Sequence, residues 1–363
     1  MPLGLYFHLP FCRVHCTYCA FAIVTDITLQ DRYTEALLKE IRVGAAPSVD
    51  TIYFGGGTPS RTSLENLTQV VDATHESFTI AENAEFSMEA NPEDITPESL
   101  SQWRDMGVNR ISVGVQSFHD EELIPLGRVH GSQIARDAVA AVVNSGVRSN
   151  LDLILGLPGQ TRRSFAQTID IAIESGVGHI SLYMLDLEES SPLAVQVDRQ
   201  RVTLPEEELI AELYVEAIDR LGEAGLHQYE ISNFAGRGEE CRHNLRYWSR
   251  GEYLGFGLGA HSFVDGRRFA NTRDVRKYID RSPEAVDFSE DLTDLETKRE
   301  TIFLRLRQTA GIDYDVVQRL CGQEGIEWID RGLKDGWLRR SGERVAFTPA
   351  GFLLSNEYIS QLF

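Results

Sequence analysis

Three cysteines stand close together early in the chain: Cys12, Cys16 and Cys19, in the spacing C-x3-C-x2-C. Three thiolates so placed can hold three irons of a [4Fe–4S] cluster and leave the fourth iron open to a ligand, whereas an electron-transfer cluster normally takes four cysteines. The next cysteine in the sequence is Cys241. Two other chemistries use clustered cysteines. A disulfide framework wants an even set and an oxidising compartment, but this chain has five cysteines and its first residues do not read as a secretory signal. A zinc site takes four tetrahedral ligands, and His8 or His15 could complete one. Cys241 and Cys321 read as buried or inert thiols, since free cysteine behaves as a small hydrophobe.

Other reactive residues follow at intervals. Phe54-Gly55-Gly56-Gly57-Thr58-Pro59 joins three glycines, which permit close backbone approach to a ligand, to a hydroxyl. Glu89, in Ser87-Met88-Glu89-Ala90-Asn91-Pro92, can take an amino group or ribose hydroxyls. Gln116 precedes Arg128, and Asp152 lies in a run that ends Gly156-Leu157-Pro158. Any one of these could be a satisfied polar core residue or a cap. Further on, His243-Asn244-Leu245-Arg246-Tyr247-Trp248 brings a histidine, a common heme ligand, next to aromatics able to stack on a porphyrin face. His243 reads equally well as a hydrogen-bonded polar residue in a loop against the sheet.

These residues need elements to hold them. Short β-branched and aromatic runs predict strands over Leu3–Leu9, Thr51–Phe54, Glu85–Glu89, Arg110–Gln116, Ser149–Leu155 and His179–Leu185. Helical patterns lie between them, several closing on a glycine such as Gly107, Gly146, Gly176 or Gly225. Six βα units imply a parallel sheet, flat and doubly wound or curved into a partial barrel, with chemistry at the C-terminal strand ends. Glu89, Gln116 and Asp152 fall at or near such ends. Residues 226–273 are richer in glycine and aromatics and less periodic. From Ser282 to Glu296 there are six carboxylates and no basic residue, which predicts a solvated connector. Helices and two short strands then predict a compact C-terminal unit that resembles a winged helix.

Hydrophobic residues make up 42% of the 363, enough for two domains or one large barrel with an appendage. Fifty-five acidic against 35 basic residues give a net charge of -20, which disfavours nucleic acid and anionic membrane surfaces as partners. No apolar run reaches the length of a membrane span. A thiolate site in such a chain predicts a reducing, cytoplasmic location.

The cysteine triplet, preceded by Tyr6-Phe7-His8-Leu9-Pro10-Phe11, and the Gly-Gly-Gly-Thr-Pro run resemble the radical S-adenosylmethionine (SAM) superfamily. Over nearly its whole length the chain resembles the oxygen-independent coproporphyrinogen III oxidase group within it. The resemblance implies an α/β fold: a partial (β/α)6 TIM-like barrel over residues 1–225, an extension over 226–288 carrying the histidine motif and the acidic connector, and a small winged-helix-like α+β domain over 289–363. It implies a [4Fe–4S] cluster on Cys12, Cys16 and Cys19 whose open iron chelates SAM. Tyr6 would pack near the SAM methionine and cluster. Tyr18, Gly56, Gly57, Thr58, Glu89, Gln116, Arg128 and Asp152 would line the SAM site.

Two branches of that group differ. The oxidase carries a fourth cysteine two residues after the third, where this chain has Phe21, and a sizeable segment before the cluster strand, which the position of Tyr6 leads us to expect is missing. His243–Trp248 matches the H-N-x-x-Y-W signature of a heme-chaperone branch. That resemblance implies heme as a ligand, with His243, Tyr247 and Trp248 as candidates to bind it, and no oxidase turnover or catalytic residue. The partners it implies are heme-accepting apoproteins, plausibly respiratory, a second copy of the chain, an electron donor such as flavodoxin or ferredoxin, and a membrane periphery reached only through partners. The alternative is an oxidase-type enzyme that decarboxylates porphyrinogen propionates. A DNA-binding role for the C-terminal unit runs against the net charge.

Overall fold

The predicted strands pair side by side in parallel: β1 (Leu3–Leu9), β2 (Ser48–Gly56), β3 (Thr79–Ala90), β4 (Arg110–Gln116), β5 (Arg148–Leu155) and β6 (His179–Met184). This is a computed structural model that describes residues 2–43, 48–189 and 191–362. β1 is buried along most of its length: Leu5, Phe7 and Leu9 share one face, and His8 on the other is also buried. The helices are stopped and started by local chemistry. Thr161 and Ser164 form a reciprocal capping box at the start of Arg162–Glu174, and Thr96 and Ser99 do the same for Pro97–Asp105.

Residues 226–288 do not stand apart from the sheet. β7 (His227–Gln228) and β8 (Asn233–Ala235) extend it antiparallel beyond β6, while β9 (Tyr253–Gly257) pairs parallel with β1. β10 (His261–Val264), β11 (Arg267–Asn271) and β12 (Val286–Asp291) continue it on that side. The twelve-stranded order runs β12-β11-β10-β9-β1-β2-β3-β4-β5-β6-β8-β7, with two free ends.

The expected acidic connector is therefore a correction. Part of it, β12, is an edge strand, and the boundary expected at residue 288 cuts through it. Its carboxylates face the arginines of β11: Arg268 stands opposite Glu290 and Arg267 opposite Asp291. Opposite charges across a strand pair stabilise the pairing that a run of like charges would otherwise resist, and charge on an edge strand discourages further pairing.

The C-terminal unit has the expected helices and the two expected strands, with a third short strand, Ile312–Asp313, in addition. Helix Asp294–Leu306 opens with a Thr293–Glu296 capping box, and Tyr314–Lys334 is broken at Gly322, where φ is +61°. β13 (Ile312–Asp313), β14 (Leu338–Ser341) and β15 (Arg344–Phe347) form a small antiparallel sheet in the order β13-β15-β14. Trp328 Nε1 donates to the Tyr358 carbonyl at 2.9 Å and Tyr358 returns a bond to the Trp328 carbonyl at 2.7 Å, fixing the last helix on the unit. Among the described residues no helix is long and apolar enough to cross a membrane.

Candidate functional site

The loop after β1 carries the three cysteines and is clamped at its base. Cys12 N donates to the Val24 carbonyl at 3.0 Å and Val24 N to the Pro10 carbonyl at 2.8 Å. Midway, Thr17 donates from its backbone to Leu126 and from its hydroxyl to Pro125, tying the loop to the segment after β4. Cys12, Cys16 and Cys19 are free and half-buried, and all three line one cavity of about 420 Å3. Burial pushes the Cys12 thiol up to about 11, with Thr58 and Arg128 pulling the other way, so a bound metal would have to displace its proton.

The zinc alternative finds little support here. His8 Nε2 donates to the Ala22 carbonyl at 2.8 Å, which leaves Nδ1 to accept from Tyr6 at 3.2 Å, so both ring nitrogens are used. His15 Nε2 bonds the Cys19 carbonyl at 3.1 Å. Among the described residues no three His, Cys, Asp or Glu side chains converge as they would on a single ion. Thiols spread around a cavity suit a polynuclear cluster better.

The strand ends supply the remaining walls. At the end of β2, Gly56 has φ +110° and donates from its backbone to Glu89 at 3.2 Å. A Cβ on Gly57 would lie 2.4 Å from the Pro10 backbone, so glycine is required for the strand end to pass under the cysteine loop. Thr58 bonds the Cys12 sulfur at 3.3 Å. Glu89 also accepts from Tyr53 at 2.8 Å; burial and the nearby Asp152 raise it to about 7 against these two donors. Burial likewise raises Asp152, although Ser112 and Asn150 each donate to it at 2.8 Å.

Gln116, at the end of β4, sits in the left-handed region at φ +68°, a conformation that costs a non-glycine residue free energy and recurs at functional sites. Arg128 is fixed by the Gly114 carbonyl and Asn91, both at 2.8 Å, and points Nη1 at the Cys16 sulfur at 3.7 Å. Its buried Nε has no partner. Two half-buried carboxylates on the cavity wall seek a cation and a fixed guanidinium with a spare donor seeks an anion, so the donor set suits a zwitterion held against the three thiols.

The histidine motif forms helix Arg242–Trp248, and its first turn is aimed at a buried carboxylate on β3. The backbone N–H groups of Arg242 and His243 each donate to Glu85 at 3.0 Å, and Arg148 adds a salt bridge at 3.1 Å. Burial opposes the Glu85 charge, but Arg110 and these donors hold its carboxyl below the usual range. His243 is fully buried. Its Nδ1 meets the Thr51 hydroxyl at 3.0 Å, its Nε2 meets the Tyr247 hydroxyl at 2.8 Å, and its ring stacks on Tyr53 at 5.2 Å. Neither nitrogen is free for a heme iron in this arrangement.

Comparison with known proteins identifies the family. Residues 6–172 match the Radical SAM superfamily. The chain is 36% identical to the heme chaperone HemW of Mycobacterium tuberculosis over 99% of its own length and 95% of the relative's. It is 36% identical to HemW of Bacillus subtilis, covering 97% of each chain, and 33% identical to that of Escherichia coli, covering 99% of this chain and 97% of the relative. The chain belongs to the HemW family of radical SAM proteins. Among solved structures, the Escherichia coli coproporphyrinogen III oxidase HemN superposes with a TM-score of 0.86 at 24% identity, covering 99% of this chain and 90% of that one, which establishes a shared fold.

Within this HemW-family chain, Tyr18, Gly56, Gly57, Thr58, Glu89, Gln116, Arg128 and Asp152 all line the cavity that holds the cysteines. Tyr6 does not. It lines a second cavity of about 820 Å3 on the other side of the cysteine loop, together with Tyr247. His243 and Trp248 line neither. Sequence reasoning missed Asn91, which positions Arg128, Tyr183 near the end of β6, and Asp186 just beyond it. The rule that chemistry sits at strand ends could have found that pair. The second cavity had no comparable signal, because its walls come from the cysteine loop, the motif helix, β9 to β12 and helix Asp294–Leu306.

Proposed function

We propose that this chain is a heme chaperone that binds heme and passes it to apoproteins, plausibly of the respiratory chain, on a radical SAM scaffold. The observation that carries the reading is identity of 33–36% over nearly the full length to curated relatives named heme chaperone HemW. Phe21, where the oxidase branch has its additional cysteine, favours the same reading.

Cys12, Cys16 and Cys19 would hold three irons of a [4Fe–4S] cluster, leaving the fourth for SAM. Arg128 Nε would take the SAM carboxylate, and Glu89 and Asp152 its amino group or ribose hydroxyls. The loaded cluster supplies one-electron chemistry. The protein's own part is to orient the zwitterion between carboxylates and guanidinium, and to exclude water by burying both. His243 is a positioning residue that ties Thr51 of β2 to the motif helix. The cytoplasmic location, a dimeric state and an electron donor such as flavodoxin or ferredoxin belong to the same proposal, as does a C-terminal unit that packs or moves against the barrel.

The test is anaerobic reconstitution with iron and sulfide, followed by parallel incubation with SAM plus hemin and with SAM plus coproporphyrinogen III. Stoichiometric hemin binding in the Soret region without decarboxylated porphyrin is the expected result. Protoporphyrinogen formation with consumption of SAM would overturn the proposal in favour of the oxidase.

A further inference from the structure

Beside the cluster cavity two polar atoms face each other and nothing else. His130 Nδ1 and Glu93 Oε2 stand 3.4 Å apart, both buried, and neither makes a hydrogen bond among the described residues. The His130 side chain is fully enclosed, two residues beyond Arg128. Glu93 lies in the turn Pro92–Asp94 after β3 and reaches the cavity wall. The next residue, Asp94, accepts from Arg13 of the cysteine loop at 2.7 Å and from Ser60 at 2.9 Å, which holds the turn in place.

The partners fix the protons. His130 Nε2 lies 3.2 Å from the Val115 carbonyl, which can only accept, so Nε2 carries a hydrogen. A bare lone pair on Nδ1 would then oppose a carboxylate oxygen in a dry site, whereas a second ring proton turns the contact into an ion pair. Burial opposes the Glu93 charge, but His130, its own backbone N–H and Arg128 hold its carboxyl below the usual range. An ionised Glu93 can only accept. Its Oε1 draws the Asn91 amide nitrogen, 3.5 Å away, and so turns the Asn91 carbonyl oxygen toward Arg128, whose Nη2 donates to it at 2.8 Å. The same amide nitrogen donates to the Thr58 hydroxyl at 3.3 Å. A hydroxyl that accepts from Asn91 points its own hydrogen elsewhere, and the Cys12 sulfur lies 3.3 Å from it.

We propose that His130 and Glu93 form a buried ion pair that sets the direction of the hydrogen bonds in the cluster cavity, as positioning residues for Arg128 and for the Thr58 hydroxyl on Cys12. The inference rests on the cluster and SAM reading and deepens it. Arg128 Nη2 is saturated by Asn91 and Gly114, which leaves the buried Nε as the donor for a carboxylate. Without the Glu93 charge the Asn91 amide can turn over and set its NH2 group against the guanidinium. A hydroxyl that donates to a cluster thiolate stabilises the more negative, reduced state and raises the reduction potential.

The test uses cluster-reconstituted protein, with SAM affinity from equilibrium dialysis and the cluster potential from a spectroscopic redox titration. Glu93→Gln and His130→Gln should each weaken SAM about tenfold and move the potential to more negative values, at wild-type iron and sulfide content. Arg128→Lys already lacks the guanidinium that the pair aims, so adding Glu93→Gln to it should weaken SAM no further. A Glu93→Gln effect that adds in full to that of Arg128→Lys would overturn the relay, because Glu93 would then meet the ligand itself. Wild-type affinity and potential in the single variants would reduce the pair to packing; if His130→Gln does not fold, Glu93→Gln on the cavity wall decides alone. Wild-type protein that takes up the cluster and binds no SAM would overturn the SAM reading on which the pair rests, whereas SAM binding that neither variant disturbs overturns the pair alone.

Discussion

Replacing His243 by alanine separates two accounts of the motif helix. The sequence left His243 open as a heme ligand or a hydrogen-bonded polar residue; the geometry makes it a buried tie between β2 and the motif helix. Alanine removes hydrogen bonds to Thr51 and Tyr247 and a ring stacked on Tyr53. Thr51 keeps a bond from Arg246 Nε at 3.4 Å and Tyr247 is only part-buried, so losing the two bonds and the stack should cost about 2–3 kcal/mol. The cost depends on pH. Burial lowers His243 to about 3 from its ordinary 6.5, so the stability of its neutral form is complete above pH 6.5 and drains as pH falls toward 3. At pH 5 wild type has lost about 2 kcal/mol of it, and the gap between variant and wild type narrows by that amount. Guanidinium unfolding at pH 8 and pH 5, followed by circular dichroism, measures both values. Hemin titration of the folded variant should give a wild-type Soret band. A variant of wild-type stability with an altered Soret band would refute this reasoning and restore His243 as the ligand.

Three further outcomes follow from the cluster cavity. Cys16→Ser should abolish the brown chromophore of reconstituted protein while hemin binding persists; full iron and sulfide content in the variant would remove Cys16 from the ligand set. Glu89→Gln should stabilise the unliganded chain by about 2–3 kcal/mol at pH 8, since the carboxylate is raised to about 7 and is costly to ionise where it sits. The sign is that of a raised acid: its favourable contribution is complete below about 4.5 and lost as pH rises through about 7, so the gain from glutamine should vanish in unfolding experiments near pH 4.5. Arg128→Lys should weaken SAM binding by about tenfold or more in equilibrium dialysis, because one ammonium nitrogen cannot bond Gly114 and Asn91 where Nη2 stands and also present a donor where Nε stands; unchanged binding would mean the guanidinium only props the wall.

The parallel half of the fold was legible because buried parallel strands carry continuous apolar runs and their helices stop at glycines. The cluster cavity was legible for the same reason: Glu89, Gln116 and Asp152 sit near strand ends that the period itself marks. The antiparallel flank was not. β10 to β12 are short strands, and although the charges of β12 are solvated as expected, nothing in their run marked its pairing with β11. Residue type also says nothing about saturation. His243 is a histidine beside aromatics, and only the three-dimensional arrangement shows that Thr51 and Tyr247 have already used both its ring nitrogens.

Ala20 and Phe21 line both cavities, and Arg273 holds the Ala20 carbonyl one residue beyond Cys19. The two chambers thus share a partition, and the partition is the tail of the cysteine loop. An occupant that shifts it on one side changes the room on the other. Thermodynamic reciprocity then binds the two loading events into one: whatever factor the cluster applies to the affinity of the second chamber, an occupant there must return to the cluster. An order of filling, and a release that follows a change at the iron, need no moving domain for their origin, only a phenylalanine that cannot lean both ways at once.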